Sequence, residues 1–157
     1  MAADNTAQAD GATEGLVSIR LGSQTFGVPV MSAQDIIAQT AINVIPLAPA
    51  EVAGSLNLRG RIVTAIDMRH RLEMPARDPA DPFMCVIVER SGELYALLVD
   101  DVGDVLWLSS SSFEPTPVTL SASWRSVCSG LYRLDSQLLL VLDVEKVLTL
   151  CAPALPA

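Results

Sequence analysis

Histidine occurs once in this chain, at position 70, and that scarcity removes most hydrolytic and metal chemistry at the outset. A zinc site needs several His or Cys ligands at fixed spacings. The three cysteines, Cys85, Cys128 and Cys151, form no C-x-x-C pair. Their number is odd and two lie among apolar residues, so they read as reduced thiols serving as small hydrophobes. Positive charge is scarce as well: 10 Lys and Arg stand against 18 Asp and Glu, a net charge of −8. Nucleic acid demands a basic surface, and so does an anionic membrane, so neither is expected as a partner. The longest apolar runs, Leu138–Leu142 and Tyr95–Val99, fall far short of the ~20 residues that span a bilayer, and no direct membrane insertion is expected. The N-terminus has neither a basic start nor an apolar stretch, so no secretory signal is expected and a cytoplasmic location is. Phosphate loops, dinucleotide fingerprints and a G-x-S-x-G elbow are all missing. No cofactor and no metal site is expected. Aromatics make up only 4 % of residues, so any core must be aliphatic.

What is present is abundant apolar character: half the residues are hydrophobic. The pattern is one of short strands. Val17, Ile19 and Leu21 alternate with Ser18 and Arg20; GSQ turns the chain and TFGVPV returns it, a hairpin signal. MSAQDIIAQ reads as a strand ending in a helical turn. PLAPAEVAG reads as a loop with one helical turn, closed by Gly54. RIVTAIDM is a strong strand, followed by a short turn of helix in MRHRL and a linker in RDPADP. After Pro82 the pattern restarts with FMCVIVER, the turn SGE and LYALLVD.

The restart is an internal repeat. Without a gap, Val17 falls on Val86, Ile19 on Val88, Phe26 on Tyr95, Val30 on Val99 and Asp35 on Asp104. A second block places Gly54 on Gly130, Leu58 on Leu134, Ile66 on Leu142 and Asp67 on Asp143. Five short antiparallel strands per half bury little as a flat sheet and leave open edges, which closure removes. The expected fold is therefore mainly all-β: two five-stranded barrels around a shared hydrophobic core, with a few short helices. The expected organisation is a disordered tail over 1–14, a first subdomain at about 15–75, a second at about 83–150, and a flexible end at 151–157.

Catalytic equipment is hard to find. A small hydrolase or ligand-binding barrel would have to use Asp67, His70 and Arg59, with Ser55 on the preceding loop. Yet His70 sits between Arg69 and Arg71, which favour its exposure. No catalytic residue is assigned. Asp100, next to Asp101, reads as simply following a strand, and Trp107 and Trp124 as sheet-packing residues. Surface, not a reactive cleft, is the expected working part.

Four stretches carry a likeness to a known family: FGVPVMSAQDII, VIPLAPAEVAGSLNLRGRIVTAIDMRHRL, LYALLVDDVGDVLWL and GLYRLDSQLLLVLDVEKVL. Together they closely resemble the CheW family of chemotaxis coupling proteins over about residues 15–150. The Asn57-Leu58-Arg59-Gly60 motif and the strand after it are the most specific part. The resemblance implies SH3-like barrels, no enzyme activity, and an adaptor joining the helical-hairpin tips of chemoreceptors to the regulatory domain of the histidine kinase CheA. It further implies recruitment to membrane-associated receptor arrays and rings that can include other CheW-like proteins. Carried over residue by residue, it puts receptor contact at Ala33, Asp35, Gly54, Asn57 and Arg59, with an Asp35–Arg59 ion pair. Val102 and Gly103 would line the second barrel's side of the same groove. Leu47, Ala48 and Pro49 are candidates for kinase contact. A coupler of type IV pilus motility or another chemosensory pathway is the alternative within the family.

Overall fold

The structure, a computed structural model, describes residues 13–151. Ten strands fall into two five-stranded sheets. In chain order they are β1 (Thr13–Leu21), β2 (Gln24–Pro29), β3 (Ala33–Ala38), β4 (Val52–Leu58), β5 (Arg61–Asp67), β6 (Met84–Arg90), β7 (Glu93–Val99), β8 (Asp101–Ser109), β9 (Cys128–Arg133) and β10 (Leu138–Leu142). Three short α-helices accompany them: α1 (Met68–Arg71), α2 (Ala122–Arg125) and α3 (Val144–Cys151). Thr13 and Glu14, placed by the sequence reading in a tail, belong to β1, paired with Ser109 and Leu108. Residues 1–12 and 152–157 lie outside the described residues.

The halves do not fold as separate barrels. One sheet runs β8-β1-β2-β10-β9 and the other β3-β6-β7-β5-β4. Each therefore takes the opening hairpin of one half and three strands of the other. The exchange is reciprocal, and the registers agree pair for pair. Phe26 faces Leu140 in one sheet, as Tyr95 faces Thr64 in the other. Val102 faces Ile19 as Ala33 faces Val88, and each pairing is followed by the same irregularity.

Packing explains the exchange. β6 and β7 are apolar on both faces: Val86, Val88, Tyr95, Leu97 and Val99 join a core shared between the sheets, while Cys85, Ile87, Ala96 and Leu98 fill the interior of their own barrel. β1, β2 and β10 behave alike, with Ile19, Phe26 and Leu140 in the shared core and Leu16, Leu139 and Val141 facing inward with Tyr132. Three aliphatic cores, two internal and one between them, thus bear out the expected twin-barrel architecture. Burial at about 25 cal/mol per Å² makes this shared layer the main cohesive force. Trp124 caps it: its ring lies 5.3 Å from Phe26 and its indole N–H donates to the Leu72 carbonyl at 2.9 Å.

Each sheet is closed by a single bridge, Asn43 to Ser55 in one and Glu114 to Leu131 in the other. Two helical turns expected from the sequence are absent. The connection between β3 and β4 carries no helix, and Gly54 lies inside β4 instead of ending a loop. The backbone does turn at Pro46-Leu47, where Ala48 N–H donates to the Ile45 carbonyl at 3.3 Å.

Candidate functional site

β4 and β5 form a hairpin in which Leu58 pairs with Arg61, leaving Arg59 and Gly60 as a two-residue loop. Both loop residues are left-handed, with φ of 51° and 86°. That is a type I′ turn, whose twist matches the flanking strands. Glycine suits its second position; an arginine at the first is uncommon and carries strain. Two side chains hold it. Asn57 Oδ1 accepts from the Gly60 N–H at 3.0 Å, and Arg59 Nη2 donates to Asp35 Oδ2 at 2.8 Å. The expected ion pair therefore forms, tying the hairpin tip to β3.

Asp35 stands just past the irregularity in β3. Its carboxylate accepts from Arg59 and, through Oδ1, from the Ile36 N–H at 2.8 Å, and those two bonds hold its pKa below the usual carboxylate range. The Arg59 side chain is 74 % exposed and that of Asp35 33 %. Such a pair adds little to stability in water. Its geometric effect is larger: it presents a guanidinium in a fixed orientation.

The remaining candidate residues divide. Asn57 is exposed beside the tip, and Ala33 is half-buried, packed on the shared core at the start of β3. Val102 occupies the repeat-related position on β8, also on the shared core, with exposed Gly103 next to it. Gly54 is different. It is buried, and a Cβ there would run into the Asn43 carbonyl. Its place in the pattern is the close approach that lets Asn43 bridge to Ser55.

Leu47, Ala48 and Pro49 lie on the 42–50 connection. Ala48 and Ile45 pack on the shared core, whereas Leu47 is fully exposed with a φ of 64°. Val44, 81 % exposed, is on the same connection. A bulky apolar side chain held outward in the left-handed region is an outlier of the kind that accumulates at contact sites.

The hydrolase constellation does not assemble. Asp67 caps α1, its Oδ1 accepting from the backbone N–H groups of Arg69 and His70 at 3.0 and 3.3 Å. His70 is exposed, and Ser55 is held in the β4–β5 ladder opposite Thr64. Cys85 and Cys128 are buried, which pushes their thiols up to about 11 and about 12 and leaves them poor nucleophiles.

Asp100, read from sequence as merely following a strand, is a hub. Its side chain is 9 % exposed and takes Arg69 bidentately, at 2.9 Å from Nε and 2.6 Å from Nη2. It also accepts from the Gly22 N–H at 2.8 Å, and Arg20 lies 3.7 Å away. The Arg69 bonds chiefly hold its pKa below the usual range. The signal available in the sequence was the acidic pair Asp100-Asp101 at a strand corner, with an arginine-rich helix in the other half.

Comparisons with known proteins agree with this geometry. The CheW-like domain model matches residues 15–151. The chemotaxis protein CheW of Rhizobium meliloti (strain 1021) is 31 % identical over 132 residues, covering 84 % of this chain and 85 % of that protein. The Klebsiella aerogenes chemotaxis protein CheW is 28 % identical over 132 residues, covering 82 % and 78 %. Among solved structures, the scaffolding protein TtCheW from Thermoanaerobacter tengcongensis superposes with a TM-score of 0.75 at 25 % identity, over 83 % of this chain and 89 % of that one. Twin SH3-like barrels and a family match over nearly the whole described chain have one reading: the chain belongs to the CheW family, the non-catalytic coupling adaptors of chemotaxis.

Proposed function

We propose that the face formed by β3 and the β4–β5 tip receives the helical-hairpin tip of a chemoreceptor, and that the 44–49 connection meets the regulatory domain of the kinase CheA. The observation that carries this reading is Arg59: a left-handed residue at an exposed tip, tied by its guanidinium to Asp35 on a different strand. A strained, oriented, charged group on a rigid barrel serves recognition, since it does little for folding. Ala33 and Asn57 extend the same face, and Val102 with Gly103 supplies its repeat-related counterpart on the other sheet. The outward apolar pair Val44 and Leu47 supports the kinase assignment, because exposed apolar anchors gain most from burial against a partner. The adaptor then acts in the cytoplasm, recruited to receptor arrays in which it and other CheW-like domains form rings. Among the described residues no helix is long and apolar enough to cross a membrane.

A charge swap tests the face. Titrated with a receptor cytoplasmic hairpin, Asp35→Arg and Arg59→Asp should each weaken binding about tenfold or more, since like charges oppose across a contact. The double variant should recover much of the loss, and thermal melts should barely move. Normal binding by both single variants would remove the assignment.

A further inference from the structure

We propose that the cleft between the end of β1, α1 and the 75–82 connection binds a single carboxylate. Arg20, Arg69, Arg77, Asp81, Pro82 and Asp100 line it, and its volume is about 280 Å³. Three guanidinium groups against two carboxylates leave one positive charge in excess, inside a chain whose net charge is −8.

The donors are unevenly used. Arg69 spends Nε and Nη2 on Asp100 and Nη1 on the Pro75 carbonyl at 2.7 Å. Arg20 gives Nη1 to the Gly22 carbonyl at 3.1 Å, and its side chain is 52 % exposed. Arg77 lies with its guanidinium 4.5 Å above the Phe83 ring centre, and its Nε is buried with no hydrogen-bond partner among the described residues. A buried N–H without an acceptor is costly, and native proteins rarely leave one unexplained. Arg77 and the outer edge of Arg20 thus line one cleft with donors to spare.

The repeat supplies a built-in comparison. In the sequence alignment of the halves, Glu89 stands where Arg20 does and Glu145 where Arg69 does. Those two glutamates, with Glu14 and Asp143, line a second cleft of about 230 Å³. The same position in the fold is basic in one half and acidic in the other, so the barrel architecture does not itself require the arginines.

The charge balance selects the ligand. One carboxylate cancels the excess, and its two oxygens match an arginine fork. A phosphate dianion would overshoot and face Asp81 and Asp100. The carboxylate can come from a small organic acid or from an Asp or Glu side chain of another protein.

Titration of the full chain with acetate, with a blocked glutamate-containing tripeptide and with inorganic phosphate, all at fixed ionic strength, tests this. The Arg77 Nε–H resonance and the backbone around Arg20 should shift saturably in the millimolar range with a carboxylate. Phosphate should bind several-fold more weakly, and signals at Glu89 and Glu145 should stay still. Tighter binding of the tripeptide than of acetate identifies a protein side chain as the source; the reverse identifies a small acid. Arg77→Gln should abolish the shifts, and Arg20→Gln, at an exposed position, should weaken them with the fold intact. Unsaturable shifts, equal shifts in both variants and wild type, or tightest binding by phosphate would overturn the proposal.

Discussion

Adding one methyl group at position 54 should cost about 3–4 kcal/mol, a large share of the ~5–15 kcal/mol that holds a typical domain together. Two effects combine. Gly54 has a φ of 149°, where a side chain is strained, and the new Cβ would overlap the carbonyl of Asn43. The strand that closes the barrel would have to move away, and the bridge from Asn43 to Ser55 would be lost. Gly130→Ala should show the clash without the backbone strain. It is the repeat-related glycine, and its Cβ would meet the Phe113 ring and the Glu114 carbonyl, the residue that bridges to Leu131. Gly92→Ala is the control: φ is 81°, yet nothing lies within 4 Å of the added atom. That change should cost only about 1 kcal/mol. Urea unfolding of the three variants checks the order. Equal losses at positions 54 and 92 would mean that closure by close approach is not what these glycines provide.

Asp100→Ala should be nearly as damaging, about 2–3 kcal/mol. It strands the mostly buried Arg69, releases the Gly22 N–H and loosens the β1–β2 turn. Removing one partner of a buried pair usually costs more; the open cleft beside Arg69, 18 % exposed, reduces the figure here. A fall of about 5–10 °C in Tm is expected for a chain of this size. The pH dependence has a definite sign. Because Arg69 holds the Asp100 pKa below the usual carboxylate range, the carboxylate binds fewer protons in the folded protein than in the unfolded one. Its stabilising effect is complete above the unfolded value and disappears as pH falls through the folded one. Asp100→Asn should therefore differ most from the wild type near neutrality and converge with it in strong acid. A gap that widened on acidification would show that Asp100 stabilises by other means.

Much of this fold is legible in the residues, and the reason is the repeat. Strand alternation in β1, the GSQ and SGE turns, and the apolar runs of β6 and β7 all follow from local rules. Which strand lies beside which does not. A run such as Val86 to Val88, buried on both faces, carries no mark of whether its neighbour comes from its own half or the other. The exchange of strands between halves is decided by long-range packing of the shared core. At the surface, the Asp35–Arg59 pair was expected only through resemblance, since nothing local joins residues 24 positions apart. Gly54 shows the limit from the other side. Family likeness marks it as a contact residue, while geometry makes it a closure point. Asp100 was passed over because its partners, Arg69 and the Gly22 N–H, are brought to it by the fold.

One measurement bears most directly on the account. The full chain is sedimented with receptor-containing membranes, with and without the kinase, and kinase activity is read in the same tube. Wild type should enter the pellet, carry kinase with it and place phosphorylation under control of the receptor's stimulus; Arg59→Asp should stay largely in the supernatant while melting like the wild type. Were that variant to sediment and confer control as the wild type does, the oriented guanidinium at the barrel tip would not be the point of engagement.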